Sequence, residues 1–135
     1  MPNAIYPLFK QTMMTGGANV ALDSGTIRVT LVDAADYTYS AAHDFIDDVP
    51  VGARVATVAL TAPTVSTSGT FDAADAMFTS VTGDPSEALI IWKDTGNEAT
   101  SRLVAYLDTG ITGLPLSPSG GSIAITWDAA GIFSL

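Results

Sequence analysis

The sequence has no cysteine, which excludes disulfides, thiol nucleophiles and thiolate metal ligands. Charged residues are scarce as well: they make up 14% of the 135 residues, where about 25% is usual. The mean hydropathy is +0.35. A chain of this length can bury a real core and normally covers it with charge. We therefore expect partners or further copies to cover part of the surface; the alternative is a surface rich in Thr, Ser and Gly.

Basic residues are the scarcest charges, since five Lys and Arg against 14 Asp and Glu give a net charge of −9. They are scattered along the chain, at Lys10, Arg28, Arg54, Lys93 and Arg102. A nucleic-acid surface needs clustered cations to displace condensed counterions, and an anionic membrane likewise attracts clustered basic residues. We predict neither a nucleic-acid partner nor a membrane partner.

Long hydrophobic runs are missing too, because none approaches the roughly 20 residues of a membrane-spanning helix. Lys10 interrupts the apolar start and no basic leader precedes it, so we expect no secretory signal. The glycine pairs at 16–17 and 120–121 lack the lysine or the strand–helix setting of a phosphate-binding loop. We predict no cofactor.

The sequence does contain many short alternating segments, such as TIRVTLV (26–32), which are typical of β-strands. Seven or eight such strands, with turn signals between them and no long helical periods, predict a mainly β fold. We expect an antiparallel β-sandwich or jelly roll with a short N-terminal helix. The domain prediction is a single unit over 1–135, with a helical arm at 1–17 and a β core at 26–135. The other strands are expected at 53–61, 68–75, 76–82, 87–94, 102–108, 122–128 and around 132–133, with 64–67 as a weaker candidate.

For two of the predicted strands, the sequence indicates which faces are covered by other parts of the protein. The strand at 87–94 is apolar on both faces, which predicts a central strand covered on both sides. In 102–108 we expect alternate residues from Leu103 onward to point inward, and Val104 and Tyr106 to point outward.

The segment NAIYPLFKQTMMT (3–15) predicts a short helix. Asn3 is a candidate N-cap, and Pro7 is tolerated in a first turn. The glycines at 16–17 are expected to end the helix.

This helix carries an apolar stripe, because Ile5, Phe9 and Met13 are spaced four apart. Two roles for the helix are open: it caps the end of a β-barrel, or it is an arm docked on a neighbouring subunit. On the second alternative, we predict partner contacts by Ile5, Tyr6, Leu8 and Phe9.

The triplet Asp-Thr-Gly occurs twice, at 94–96 and 108–110. Aspartic proteases use this triplet because two carboxylates about 3 Å apart share one proton. Here each triplet ends one of two adjacent antiparallel strands, which would separate the carboxylates to opposite ends of a hairpin. The same triplet is ordinary turn chemistry, because Asp bonds its own backbone and Gly supplies a positive φ. We expect two turns.

His43 is the only histidine, and no G-x-S-x-G elbow presents a serine to it. The acids around it either bind a cation or repel one another on a solvated face, which is the commoner case. Their spacing is not that of a calcium loop. We predict no catalytic, cofactor-binding or metal-binding residue, and no enzymatic activity. The acids are Asp33, Asp36, Asp44, Asp47 and Asp48.

Five longer segments resemble small structural proteins of tailed bacteriophages. They are NAIYPLFKQTMMTG, IRVTLVDAADYTYSAAHDFIDDVP, FDAADAMFTSVTG, SEALIIWKDTGNEATSRLVAYLDTG and SIAITWDAAGIFSL, which together span nearly the whole chain. The resemblance implies a virion component, made in the host cytoplasm and placed on the capsid exterior as a decoration or cement protein. Such proteins are often β-sandwiches or jelly rolls that bind an expanded shell as oligomers. The implied partners are the major capsid protein and further copies of the chain.

A second function remains open on other residues. Tyr37, Tyr39 and Tyr106 are expected on loops or outer faces, where aromatic rings stack on sugars. That pattern favours a tail, fibre or baseplate module that binds host-surface glycans. The alternative is that these tyrosines lie at interfaces or over the core.

Overall fold

A computed structural model describes residues 3–135 as a set of antiparallel strands with one short helix. The helix α1 spans Pro7–Met14, and two 3₁₀ turns lie at Ile46–Asp48 and Val51–Ala53. The strands are β1 (Ala4–Ile5), β2 (Thr26–Val32), β3 (Arg54–Ala59), β4 (Thr64–Val65), β5 (Thr70–Asp72), β6 (Ala76–Phe78), β7 (Ala88–Asp94), β8 (Leu103–Leu107), β9 (Ile123–Ile125) and β10 (Phe133–Ser134).

The main sheet has five strands in the order β1–β8–β7–β2–β3. The strands β2 and β7 pair over seven residues, from Thr26 opposite Asp94 to Val32 opposite Ala88. The strand β7 lies between β2 and β8, and its first five residues are buried. The expectation that 87–94 is a central strand covered on both faces is confirmed.

Two smaller sheets complete the fold, with strand orders β10–β5–β4 and β6–β9. The mainly β, antiparallel fold class with a short N-terminal helix is confirmed. The described residues form ten strands where seven or eight were expected, because three of the ten are only two residues long. The segment 122–128 contributes β9, which pairs with β6 and not with the β7–β8 hairpin.

The strand β8 differs from its expected pattern, because all five of its residues are buried, including Val104 and Tyr106. The second face is covered by segments distant in sequence. The amide of Tyr6 donates to the Val104 carbonyl over 3.0 Å. The rings of Tyr37 and Tyr39 pack on Tyr106, with centroids 6.2 and 5.6 Å away. The prediction that Val104 and Tyr106 point outward was wrong, because their face of the strand is covered and both residues are buried.

The N-terminal segment also departs from the expected helix over 3–15. Ala4 and Ile5 are extended and pair with β8, Ala4 opposite Tyr106, so the helix begins only at Pro7. It ends at Met14, followed by Gly16 with a left-handed φ of 71°. Residues 1 and 2 of the predicted arm lie outside the described range.

The core joins this segment to the strands. Tyr6 and Phe9 expose 0% and 1% of their surface and belong to the same apolar cluster as the centre of the main sheet. The segment therefore packs on the core of its own chain, as the first of the two alternatives expected. Within residues 3–135, no helix has the length and apolar character needed to cross a membrane.

Candidate functional site

An apolar groove of about 250 Å³ lies between the end of α1 and the β10–β5–β4 sheet. Met13 borders it from α1 and Leu22 from the following loop, while Phe71 and Phe133 form its sheet side. These two phenylalanines are opposite each other in the β5–β10 pair, and their ring centroids are 5.3 Å apart. Strand pairing therefore places two rings side by side on one wall of the groove.

Two large apolar side chains that line this groove are exposed to solvent. Val65 and Leu135 line the groove and expose 47% and 58% of their surface, and Met14, next to lining residue Met13, exposes 82%. In the described part of the chain, only Val51 and Met77 are comparable large apolar side chains. Contiguous exposed apolar surface is typical of a protein-binding site.

The four residues predicted to contact a partner divide into two kinds. Tyr6 and Phe9 are buried in the core of their own chain, while Ile5 and Leu8 are half-buried. In this conformation, Ile5 and Leu8 are therefore the members that have surface to offer a partner. Their partner role stays a prediction. Sequence spacing did not find the groove, because Phe71 and Phe133 meet only through strand pairing.

A chain of hydrogen-bonded side chains runs from the core towards the surface. The Tyr6 and Tyr37 hydroxyls are 2.9 Å apart, and the Tyr37 hydroxyl is 2.8 Å from Nδ1 of His43. If Tyr6 donates to Tyr37 and Tyr37 donates to Nδ1, both hydroxyl hydrogens have an acceptor. The reverse direction would leave the buried Tyr6 hydrogen without an acceptor among the described side chains. We therefore assign the hydrogen of neutral His43 to Nε2.

Burial raises the pKa of every tyrosine in this cluster. For Tyr6 the neighbouring Tyr37 adds to the effect of burial. The pKa of Tyr37 rises to about 12, because burial outweighs the hydrogen bond from Tyr6, which lowers it, and the Asp48 carboxylate raises it further. Burial also raises the pKa of Tyr39 and Tyr106. All four hydroxyls are neutral at pH 7, so they serve as hydrogen-bonding and packing groups.

The tyrosines expected to face a glycan lie mostly inside the protein. Tyr37 and Tyr106 expose 3% and 4% of their surface, while Tyr39 is half-buried against Tyr6 and Tyr106. The alternative that these tyrosines cover the core is confirmed for Tyr37 and Tyr106. The glycan-binding function now depends on Tyr39 and stays a prediction.

The two Asp-Thr-Gly triplets form turns at opposite ends of the β7–β8 hairpin. One carboxylate oxygen of Asp94 accepts from the Gly96 amide over 2.8 Å, and the other pairs with Arg28. Arg28 holds the pKa of Asp94 below its usual range. Gly96 has a φ of 87°, as the turn interpretation requires.

The second triplet is held differently, by a residue from the other end of the chain. Oδ1 of Asn3 accepts from the amides of Asp108 and Thr109 over 2.7 and 3.0 Å, and Gly110 has a φ of 71°. Asn3 is therefore not the N-cap of α1, and that prediction was wrong. The two aspartates do not form a catalytic pair within one chain; the absence of enzymatic activity stays a prediction.

Four of the five acids around His43 fall into two groups, and Asp47 is exposed. Asp33 and Asp36 meet Asp84, with carboxylate oxygens within 4.8 Å of one another. Asp48 accepts from the amide of Asp44 over 2.9 Å, and burial, followed by the Asp48 charge, raises the pKa of Asp44.

The first group offers three carboxylates that could hold a cation, although exposed acidic clusters are common without one. Asp33 is itself buried, so this group is not simply a solvated face. The pairing of Val32 with Ala88 places the loop after β2 beside the turn that contains Asp84. That register is the signal by which Asp84 could have been found.

The chain matches no family model, and no curated protein matches it.

Proposed function

We propose that this chain is a virion structural protein that decorates the outer surface of a bacteriophage capsid and stabilises it by bridging major capsid subunits. The observation that carries the proposal is the apolar groove, along which Val65 and Leu135 are exposed. A chain with so few charges and an exposed apolar groove fits a protein whose surface other proteins cover. The resemblance of its segments to phage structural proteins supports the capsid as the location of this chain in the virion.

Stabilisation by such a protein follows from mass action. A protein that binds the assembled shell and not the separated subunits lowers the free energy of the assembled state. Contacts with two or more capsid subunits amplify interfaces that are individually weak. A net charge of −9 suits the exterior of the shell, away from packaged DNA.

The position of the protein in a virion is the direct test. A cryo-electron microscopy map of the virion that carries this chain is expected to show it at symmetry-related positions on the outside of the icosahedral shell. Density confined to the tail would contradict the proposal and favour the glycan-binding module.

Cosedimentation with expanded capsids tests the predicted contact residues. Deleting residues 1–15 would remove Tyr6 and Phe9 from the core, so a point substitution is the sharper experiment. We expect Leu8→Glu to reduce cosedimentation, while Val51→Glu, at an exposed apolar site in a 3₁₀ turn, leaves it unchanged. Equal binding by the two variants would remove α1 from the capsid contact.

A further inference from the structure

We propose that two copies of this chain associate about a two-fold axis beside α1, each inserting Met14 into the groove of the other. The inference rests on the proposed function for one expectation only, that a decoration protein of this kind associates with further copies of itself, and it does not depend on the capsid. The partner is therefore a second copy of the same chain, and the contact surface is the groove together with the exposed side of α1.

The side chain to be inserted is Met14. It exposes 82% of its surface, more than any other large apolar side chain within residues 3–135. Its neighbour Met13 lines the groove, so the inserting residue follows a groove residue directly in α1. A two-fold interface requires this arrangement, because the same patch must supply both halves of the contact.

The size of the groove suits such an insertion. Apolar cavities of about 150 Å³ admit benzene, and this groove measures about 250 Å³. A flexible thioether side chain adapts well to an irregular apolar space. Phe133, which is half-buried, supplies an aromatic edge that sulfur contacts favourably.

Charge complementarity points to a second copy as the occupant. Lys10 precedes Met14 by one helical turn and so lies on the same face of α1. It has no hydrogen bond or ion pair with the described residues. The other basic residues are engaged: Arg28 with Asp94, Arg54 with Glu98, Lys93 with the carbonyls of Ala21 and Ser24, and Arg102 with the Ala18 carbonyl and the Phe45 ring.

The groove carries the matching charge. Asp23 is the one charged residue that lines it, and its carboxylate has no hydrogen bond or ion pair within 3–135. When Met14 enters the groove of a second copy, Lys10 approaches Asp23 of that copy, and the two-fold axis repeats the pair. Two chains that each carry −9 repel one another, and these two pairs neutralise charge at the point of contact.

A charge-swap experiment tests this arrangement. Sedimentation velocity over a concentration series is expected to show a monomer–dimer equilibrium for the unchanged chain. Lys10→Glu places two carboxylates opposite each other at both contacts. Asp23→Lys places two ammonium groups opposite each other there. Each variant alone should weaken dimerisation by about tenfold. An equimolar mixture of the two variants should dimerise like the unchanged chain, because each mixed dimer regains two opposite-charge pairs.

Matched variants control for net charge and for lost apolar surface. Asp47→Lys makes the same charge change as Asp23→Lys at an exposed site remote in sequence from the groove and should leave dimerisation unchanged. Met14→Glu should weaken it, whereas Met77→Glu, at an exposed methionine in β6, should not. Circular dichroism of each variant confirms that it is folded.

Three results would each overturn the inference: a monomer at every concentration, a dimer insensitive to both charge swaps, or a mixture that fails to recover. A dimer that behaves as expected but does not cosediment with capsids would count against the proposed function alone. Capsid binding by a strictly monomeric chain would count against this inference alone.

Discussion

Asn3 illustrates how a single side chain is redirected by a distant part of the chain. Its position before an apolar stripe is typical of a helix N-cap, yet its amide group bonds residues 108–109 at the end of β8. Asn3 and Asp108 are 105 positions apart. Asn3 is well suited to form hydrogen bonds with backbone groups. Local sequence rules cannot identify a partner at that distance, so the prediction of an N-cap was wrong.

The buried tyrosines predict a characteristic alkaline titration. We expect the tyrosinate absorbance of the folded protein to rise only above the ordinary pKa near 10, with Tyr37 titrating at a pKa of about 12. Chain unfolded in urea should titrate near pH 10 throughout. Because the folded pKa values are raised, the stabilisation is complete below pH 10 and is lost as pH rises through the folded values.

The variant Tyr37→Phe isolates one member of the cluster. It should remove the transition near pH 12 and leave the His43 ring without its hydroxyl partner. A folded protein in which all four tyrosines titrate near pH 10 would contradict the buried arrangement.

At the scale of elements, α1 is expected to be part of the core of its own chain. Phe9→Ala should lower the free energy of unfolding by about 3–5 kcal/mol, because it empties a fully buried site. Gln11→Ala on the exposed side of the same helix is the control and should change stability by less than about 0.5 kcal/mol. Urea denaturation measures both; equal effects would mean that α1 is not docked in solution.

The strand β8 permits a second matched comparison. Val104→Thr should destabilise by about 1–3 kcal/mol, because it places a hydroxyl where Val104 is fully buried. The same substitution at Val65 in β4, which is 47% exposed, should be nearly neutral. Thermal unfolding of the two variants distinguishes a β8 covered on both faces from the one-sided strand that the sequence predicted.

Much of the element order was predictable, because alternation and apolar runs report local burial. The strands at β2, β3, β7 and β8 were located in this way, as was the short N-terminal helix. Two-residue strands such as β1 carry no periodicity, so they could not be separated from the helix that follows. The apolar character of Val104 and Tyr106 was visible in the sequence. The residues that cover them, at positions 6, 37 and 39, are distant in sequence and could not be identified from alternation.

The candidate site was less predictable than the fold. Met13 lies in the predicted helix, and Phe71 lies in the predicted strand at 68–75. Their meeting in one groove depends on the pairing of β5 with β10, which the alternation pattern does not specify. The exposure of Met14 could not be predicted either. Helix spacing alone does not indicate which apolar positions outside the stripe remain exposed to solvent.

At the scale of the whole molecule, the charge of −9 predicts that salt stabilises the fold. Raising NaCl from about 0.01 to 0.1 M shortens the Debye length from about 30 to 10 Å, which weakens repulsion among the carboxylates. We expect a gain of about 1 kcal/mol and a rise in Tm of about 3–5 °C. Differential scanning calorimetry at pH 7 measures this.

The control for this measurement is the identity of the cation. Tetramethylammonium chloride at the same ionic strength should raise Tm equally, because screening does not distinguish between monovalent cations. A rise with sodium alone would point to direct ion binding and contradict general screening.

The pairing of β1 with β8 has a consequence for how the chain is made. A ribosome delivers Ala4 and Ile5 long before Ala105 and Tyr106, their partners in the sheet. The apolar side chains of Tyr6 and Phe9 therefore emerge with no native surface to cover them, and contacts of such long sequence separation form slowly. During synthesis, this first segment is exposed to other chains and to chaperones, and the main sheet closes only after residue 107 has left the ribosome.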